Sequence, residues 1–236
     1  MAPEYDVAIV GSGPAGAACA LGLARLGIAV ALIDERVFPR TKACGEYLNS
    51  GAVNELRELG LGATLALHAT PLRGMRLTAH DELAEFRFAQ EAWSMPRRTL
   101  DDAIRSAALQ AGARAVRGRF RTLRQNDDSV MITVAIDDDE SHEIRARYLI
   151  GADGMRSAVA RACTLWVPSR GERYATGGHY RGVALDRWIE MYASPLGYLA
   201  LNPLDADVAN VMFVVSRAQL LQSRGALSTE LARFSR

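Results

Sequence analysis

From Tyr5 to Val10 the chain is a short apolar run that ends in glycine, the pattern of a parallel strand buried on both faces. Pro14 suits the first turn of a helix, which the pattern carries to about Leu26 before Gly27 stops it. Residues 28–33 form a second apolar run. Residues 5–34 therefore predict one strand–helix–strand unit with a right-handed crossover.

After a polar loop over 35–42, helical spacing at Val53, Leu56 and Leu59 predicts a helix over 50–59, stopped by Gly60. Two alternating stretches, 75–78 and 83–88, flank His80-Asp81 and read as a hairpin inserted from a second sheet. An amphipathic helix over 99–111 follows, then strands near 115–123, 130–136 and 144–150. Beyond Arg170, short strands near 176–183, 188–192, 198–201 and 210–215 suggest a second antiparallel sheet, and 217–234 has helical character. The fold class expected is α/β: a Rossmann-type nucleotide-binding domain of residues 1–70 and 97–165. A substrate-domain sheet of residues 71–96 and 166–236 is inserted in it.

Charge and cysteine usage narrow the partners. The 236 residues carry 28 basic and 27 acidic side chains, a balance without the single-sign field that nucleic acid or an anionic membrane would require. Cys19, Cys44 and Cys163 are widely spaced and odd in number, which argues against a disulfide framework and for a reducing cytoplasm. No histidine pair has metal-ligand spacing, so no metal is expected. The opening residues lack the basic start of a secretory signal, and the glycines between Val7 and Ile33 break what would otherwise imitate a membrane span.

The chemistry concentrates in Gly11-Ser12-Gly13-Pro14-Ala15-Gly16. Gly11 allows a tight turn, Gly13 lets a pyrophosphate approach the backbone, and Gly16 lets helix pack on strand, while the helix start offers free amides to phosphate. The motif follows a strand, opens a helix and is followed by Asp34 at the end of the next strand, the context that makes this fingerprint specific. Asp34 suits a ribose diol and disfavours a 2′-phosphate, so the ligand is FAD or NAD rather than NADP. The turn alone does not choose between them.

Three further segments do. Residues 34–48, DERVFPRTKACGEYL, resemble the FPRxKxCG stretch of the geranylgeranyl reductase-like and aromatic-hydroxylase-like FAD-dependent oxidoreductases, the group A flavin monooxygenase superfamily. Arg97-Arg98-Thr99-Leu100-Asp101 resembles that family's RxxLD signature, and Gly151-Ala152-Asp153-Gly154 with Ser157 its GADGxxS motif. The resemblance implies FAD as cofactor. It points to Gly11, Gly13, Pro14, Ala15, Gly16, Asp34, Glu35, Lys42, Gly45, Arg97 and Asp153 as cofactor contacts, with Cys44 as a candidate for proton delivery near the flavin ring. Asn202 stands where the family's roof strand carries an aromatic, and no Gly-Asp-Ala motif follows the second sheet, so the family fold is expected to be incomplete at the C-terminus.

The resemblance implies an FAD enzyme that hydroxylates, or reduces a double bond of, an aromatic, polyketide or isoprenoid small molecule. With one dinucleotide fingerprint, NAD(P)H would be a transient reductant. Two other readings stand beside it: an NAD-dependent dehydrogenase, which leaves the three further segments unexplained, and a shortened family member that binds FAD weakly or not at all and is not catalytic alone. An oligomer or partner chain completing the fold belongs to the last.

Overall fold

Strand β1 (Tyr5–Val10), helix α1 (Pro14–Arg25) and strand β2 (Val30–Asp34) form the opening unit, with β1 and β2 parallel. Val7 to Val10 and Val30 to Ile33 are buried, as apolar runs covered on both sides must be. In this computed structural model residues 3–80, 82–137, 140–168, 173–195 and 197–222 are described. They divide into two compact units: Met1–Arg40 with Arg98–Pro168, and Thr41–Arg97 with Ser169–Arg236.

The chain then enters the second unit through β3 (Tyr47–Leu48), α2 (Ser50–Glu58), α3 (Gly62–Ala66), β4 (Thr70–Pro71), β5 (Gly74–Ala79), β6 (Glu82–Arg87) and β7 (Trp93–Ser94). Asn49 caps α2 by accepting from the Ala52 amide at 2.9 Å. Strands β5 and β6 pair antiparallel around His80, as the alternating pattern predicts. The two-residue strands β3, β7 and β4 make a small sheet of their own that no periodicity announces.

Returning to the first unit, α4 (Arg97–Gln110) leads to β8 (Arg114–Arg117), β9 (Arg119–Gln125), β10 (Val130–Ala135), β11 (Ser141–Gly151) and α5 (Ala158–Ala162). The strand expected near 115–123 is two strands, because Gly118 at φ +158° breaks the run. The sheet order is β8-β2-β1-β11-β10-β9, parallel through its first four strands and antiparallel beyond. Ala8, Val10, Ile33, Ile132, Ala146 and Val159 belong to its buried core.

The second unit is completed by β12 (Arg173–Arg181), β13 (Trp188–Ser194), β14 (Gly197–Pro203), β15 (Val208–Ser216) and α6 (Arg217–Gln222). Its sheet runs β12-β15-β14-β13-β5-β6, antiparallel except for the parallel pair β13 and β5. Leu199, Phe213 and Val215 form one buried cluster in it. The helix expected over 217–234 is seen to Gln222, and the remainder lies outside the described residues. Among the described residues no helix is long and apolar enough to cross a membrane, and no group of three acidic, histidine or cysteine side chains is placed to hold a metal.

Candidate cofactor site

Where β1 ends, Gly11 takes φ +104°, a conformation that side chains resist. Its amide donates to the Ile33 carbonyl at 2.7 Å, and the Ala152 amide donates to the Val10 carbonyl at 2.8 Å. A Cβ on Gly11 would collide with the Ala152 carbonyl, and one on Gly16 with the Gly11 carbonyl. Backbone therefore packs on backbone, and two motifs far apart in sequence meet at one end of the sheet.

Gly13 differs from both. It caps α1 in an ordinary extended conformation, φ −68° and ψ −178°, with no side chain on the first-turn amides. A Cβ there would meet a single heavy atom within 4 Å, Arg40 Nη2 at 3.5 Å. Pro14 and Ala15 begin the helix beside it. The helix start, with its unsatisfied N–H groups and positive dipole end, faces open space that suits a phosphate. The glycine turn thus fits an adenine dinucleotide.

The acids around the turn are already engaged. Asp34 accepts from the Ser12 amide at 2.7 Å through Oδ2 and from the Arg36 amide at 2.8 Å through Oδ1. It latches the glycine turn to the end of β2, and each oxygen keeps a second lone pair for a ribose hydroxyl. Glu35 lies at the surface against Arg36, 3.3 Å from its Nε. Asp153 accepts from Ser157 Oγ and from the Ala158 amide at 2.6 Å, while Ser157 accepts from the Ala160 amide at 2.9 Å. Its carboxylate serves the start of α5, and its backbone borders Gly11.

One cation beside the turn escapes a motif-based reading. Arg40 lies 3.2 Å from Asp101, whose side chain is fully buried, and its guanidinium sits 5.1 Å from the Phe38 ring centre. Arg105, one helical turn beyond Asp101 on α4, places its own guanidinium 4.9 Å from the same ring. The Nε atoms of both arginines are buried without a hydrogen-bond partner. Only the FPR triplet hinted at Arg40 in the sequence.

The remaining candidates, Lys42, Cys44, Gly45 and Arg97, belong to the second unit. Lys42 is exposed and Arg97 half-buried. Cys44 to Glu46 is gripped by a row of polar side chains on three adjacent strands: His179, Asn210 and Asn202 are register neighbours on β12, β15 and β14. Asn210 Nδ2 donates to the Cys44 carbonyl and Asn202 Nδ2 to the Gly45 carbonyl, each at 2.7 Å, and His179 Nε2 lies 2.8 Å from Glu46 Oε2. Glu46 also accepts from the Arg97 amide at 2.9 Å and holds φ +56°. The Glu46 amide points at Cys44 Sγ, 3.4 Å away. The missing aromatic at Asn202 marked this place in the sequence, but nothing marked His179 or Asn210.

Comparison with known proteins agrees with this geometry. The family model described as "FAD binding domain" matches residues 4–224. The chain is 40% identical over 164 residues to menaquinone reductase of Mycobacterium tuberculosis, covering 66% of this chain and 39% of that protein. It is 28% identical over 225 residues to digeranylgeranylglycerophospholipid reductase 1 of Methanothermobacter thermautotrophicus, covering 89% of this chain and 56% of that protein. The fold matches the crystal structure of CmlS, a flavin-dependent halogenase, with a TM-score of 0.87 at 23% identity, over 100% of this chain and 46% of that one. The chain thus spans about two fifths of the menaquinone reductases it matches. With a glycine turn open at Gly13, a Gly-Ala-Asp-Gly segment packed against it, and a family model that runs almost from end to end, this chain belongs to the FAD-binding domain family, and its cofactor is FAD.

Proposed function

We propose that the chain holds FAD over its glycine turn and works as an FAD-dependent oxidoreductase, either a monooxygenase (hydroxylase) or a double-bond reductase, on an aromatic, polyketide or isoprenoid small molecule. The observation that carries this is the packing of Gly11 on the Ala152-Asp153 backbone, and of Gly16 on Gly11 and the Ala152 methyl, around an uncovered helix start at Gly13. Similarity to menaquinone and digeranylgeranylglycerophospholipid reductases favours the double-bond reductase and an isoprenoid-bearing substrate. FAD, when bound, supplies the redox chemistry, and the protein supplies binding, orientation and proton handling.

In the first unit Gly11, Gly13, Pro14, Ala15 and Gly16 would receive the pyrophosphate, Asp34 the ribose, and Asp153 would border the cofactor through its backbone. On motif resemblance alone, Glu35, Lys42, Gly45 and Arg97 are proposed as further cofactor contacts and Cys44 as a proton donor. NAD(P)H is proposed as a transient reductant and the cytoplasm as the location, in keeping with three free cysteines.

A second reading rests on one observation, that the chain spans 39% of a menaquinone reductase. On that reading it binds FAD weakly or not at all and needs an oligomeric or other partner to act. One experiment separates the two. The purified chain is examined for flavin absorbance, denatured, and the released cofactor identified. A yellow protein releasing FAD supports the first reading, and a colourless one that refuses added FAD overturns it.

A further inference from the structure

We propose that Arg40 is the cation that meets the dinucleotide's phosphates over the glycine turn, and that Asp101 positions it there; this rests on the reading that the chain binds FAD. Arg40 Nη2 is the single heavy atom near the otherwise open face of Gly13, so an anion seated on the α1 start would lie against a guanidinium edge. Around Gly13 the protein provides amides and one charged fork, which is the donor set that phosphate oxygens accept.

The placement of that fork is built, since Asp101 is wholly buried and lies 3.2 Å from the guanidinium. Burying an ion pair is seldom a net gain in stability, so a role in fixing direction explains the pair better than a role in holding the fold. Phe38 supplies a ring beneath the Arg40 guanidinium, and Arg105 adds a second cation over the same ring. Both guanidinium groups thus flank one ring, and the Asp101 carboxylate holds the nearer of the two to the turn. Arg40 Nε is buried without a partner, so the protein alone does not satisfy this side chain. Of the other basic residues of the same segment, Arg36 pairs with Glu35 at the surface, and Lys42 is exposed and belongs to the second unit.

The test titrates the apo chain with FAD, with ADP and with riboflavin, which lacks phosphate. Arg40→Gln should weaken FAD and ADP by about tenfold to hundredfold, the range of a lost charge-assisted hydrogen bond, and leave riboflavin unchanged. It should also flatten the salt dependence of FAD binding. Arg40→Lys, which keeps the charge and the ion pair, should weaken FAD less than Arg40→Gln and guards against a folding defect. Asp101→Asn should weaken FAD in the native background and add nothing to Arg40→Gln, as a residue acting through Arg40 must. Native-like FAD and ADP binding by both Arg40 variants would overturn the proposal while leaving the FAD reading intact. A native chain that binds neither FAD nor ADP would overturn both.

Discussion

Asn202 and Asn210 stand opposite each other on β14 and β15, and their side-chain amides hold the carbonyls of two consecutive residues, Gly45 and Cys44, each at 2.7 Å. Both asparagines are buried, so truncating either removes a donor that the fold holds out of water. Asn210→Ala should cost about 1–3 kcal/mol in denaturant unfolding. Asn202→Ala should cost less, because Asn202 Oδ1 is itself buried without a partner and the truncation removes that liability. Equal costs would show that the Asn202 amide is worth as much as its neighbour despite the stranded oxygen.

The three glycines of the nucleotide turn should respond differently. Gly16→Ala forces a methyl into the Gly11 carbonyl and should destabilise the first unit by about 1–3 kcal/mol or more. Gly13→Ala meets only Arg40 Nη2 at 3.5 Å and should cost under about 1 kcal/mol of stability, yet crowd the phosphate. Thermal unfolding and FAD titration on the two variants should therefore separate, the first variant failing in stability and the second in binding.

Asp153 accepts at the start of α5 through both oxygens. Asp153→Ala should lower stability by about 1–2 kcal/mol, as loss of a capping carboxylate does, even without FAD. A variant as stable as the native chain when both are cofactor-free would mean that the acid serves the cofactor alone.

Alkaline unfolding should report on Tyr192. Its hydroxyl donates to Glu190 at 2.6 Å, and that bond, with burial and the Glu190 charge, pushes the phenol from 10.0 up to about 12. A raised folded value means that the stability is fully present below pH 10 and is lost as pH climbs through about 12. Tyr192→Phe should remove the last tyrosine to ionise in a phenolate absorbance titration and flatten the fall in stability across that interval.

Much of the first unit was legible in the sequence because its signals are local. The run from Val7 to Val10, Pro14 at the helix start and Asp34 at a strand end each state their role within a few residues. The hairpin at His80 was equally plain, since alternation and a turn suffice. What escaped depends on encounters across the chain. Arg40 lies inside the FPRxKxCG segment, but its pairing with Asp101 on α4 exists only in the fold. His179, Asn210 and Asn202 form a row only once β12, β15 and β14 are in register, and two-residue strands such as β3 and β7 carry no period at all. Asp34 and Asp153 were visible as acids, but that each already accepts backbone amides is a matter of geometry.

The pairing of β1 with β11, Tyr5 against Ala146 and Val10 against Gly151, also sets a timetable for synthesis. During synthesis β1 waits for β11, while residues 41–97 between them go to build the other unit. Until Gly151 emerges, one edge of β1 has no partner, and contacts of such long range make assembly slow and expose that edge to mispairing. Yield in the cell should therefore depend on translation speed and chaperone supply more strongly than the stability of the finished protein would suggest.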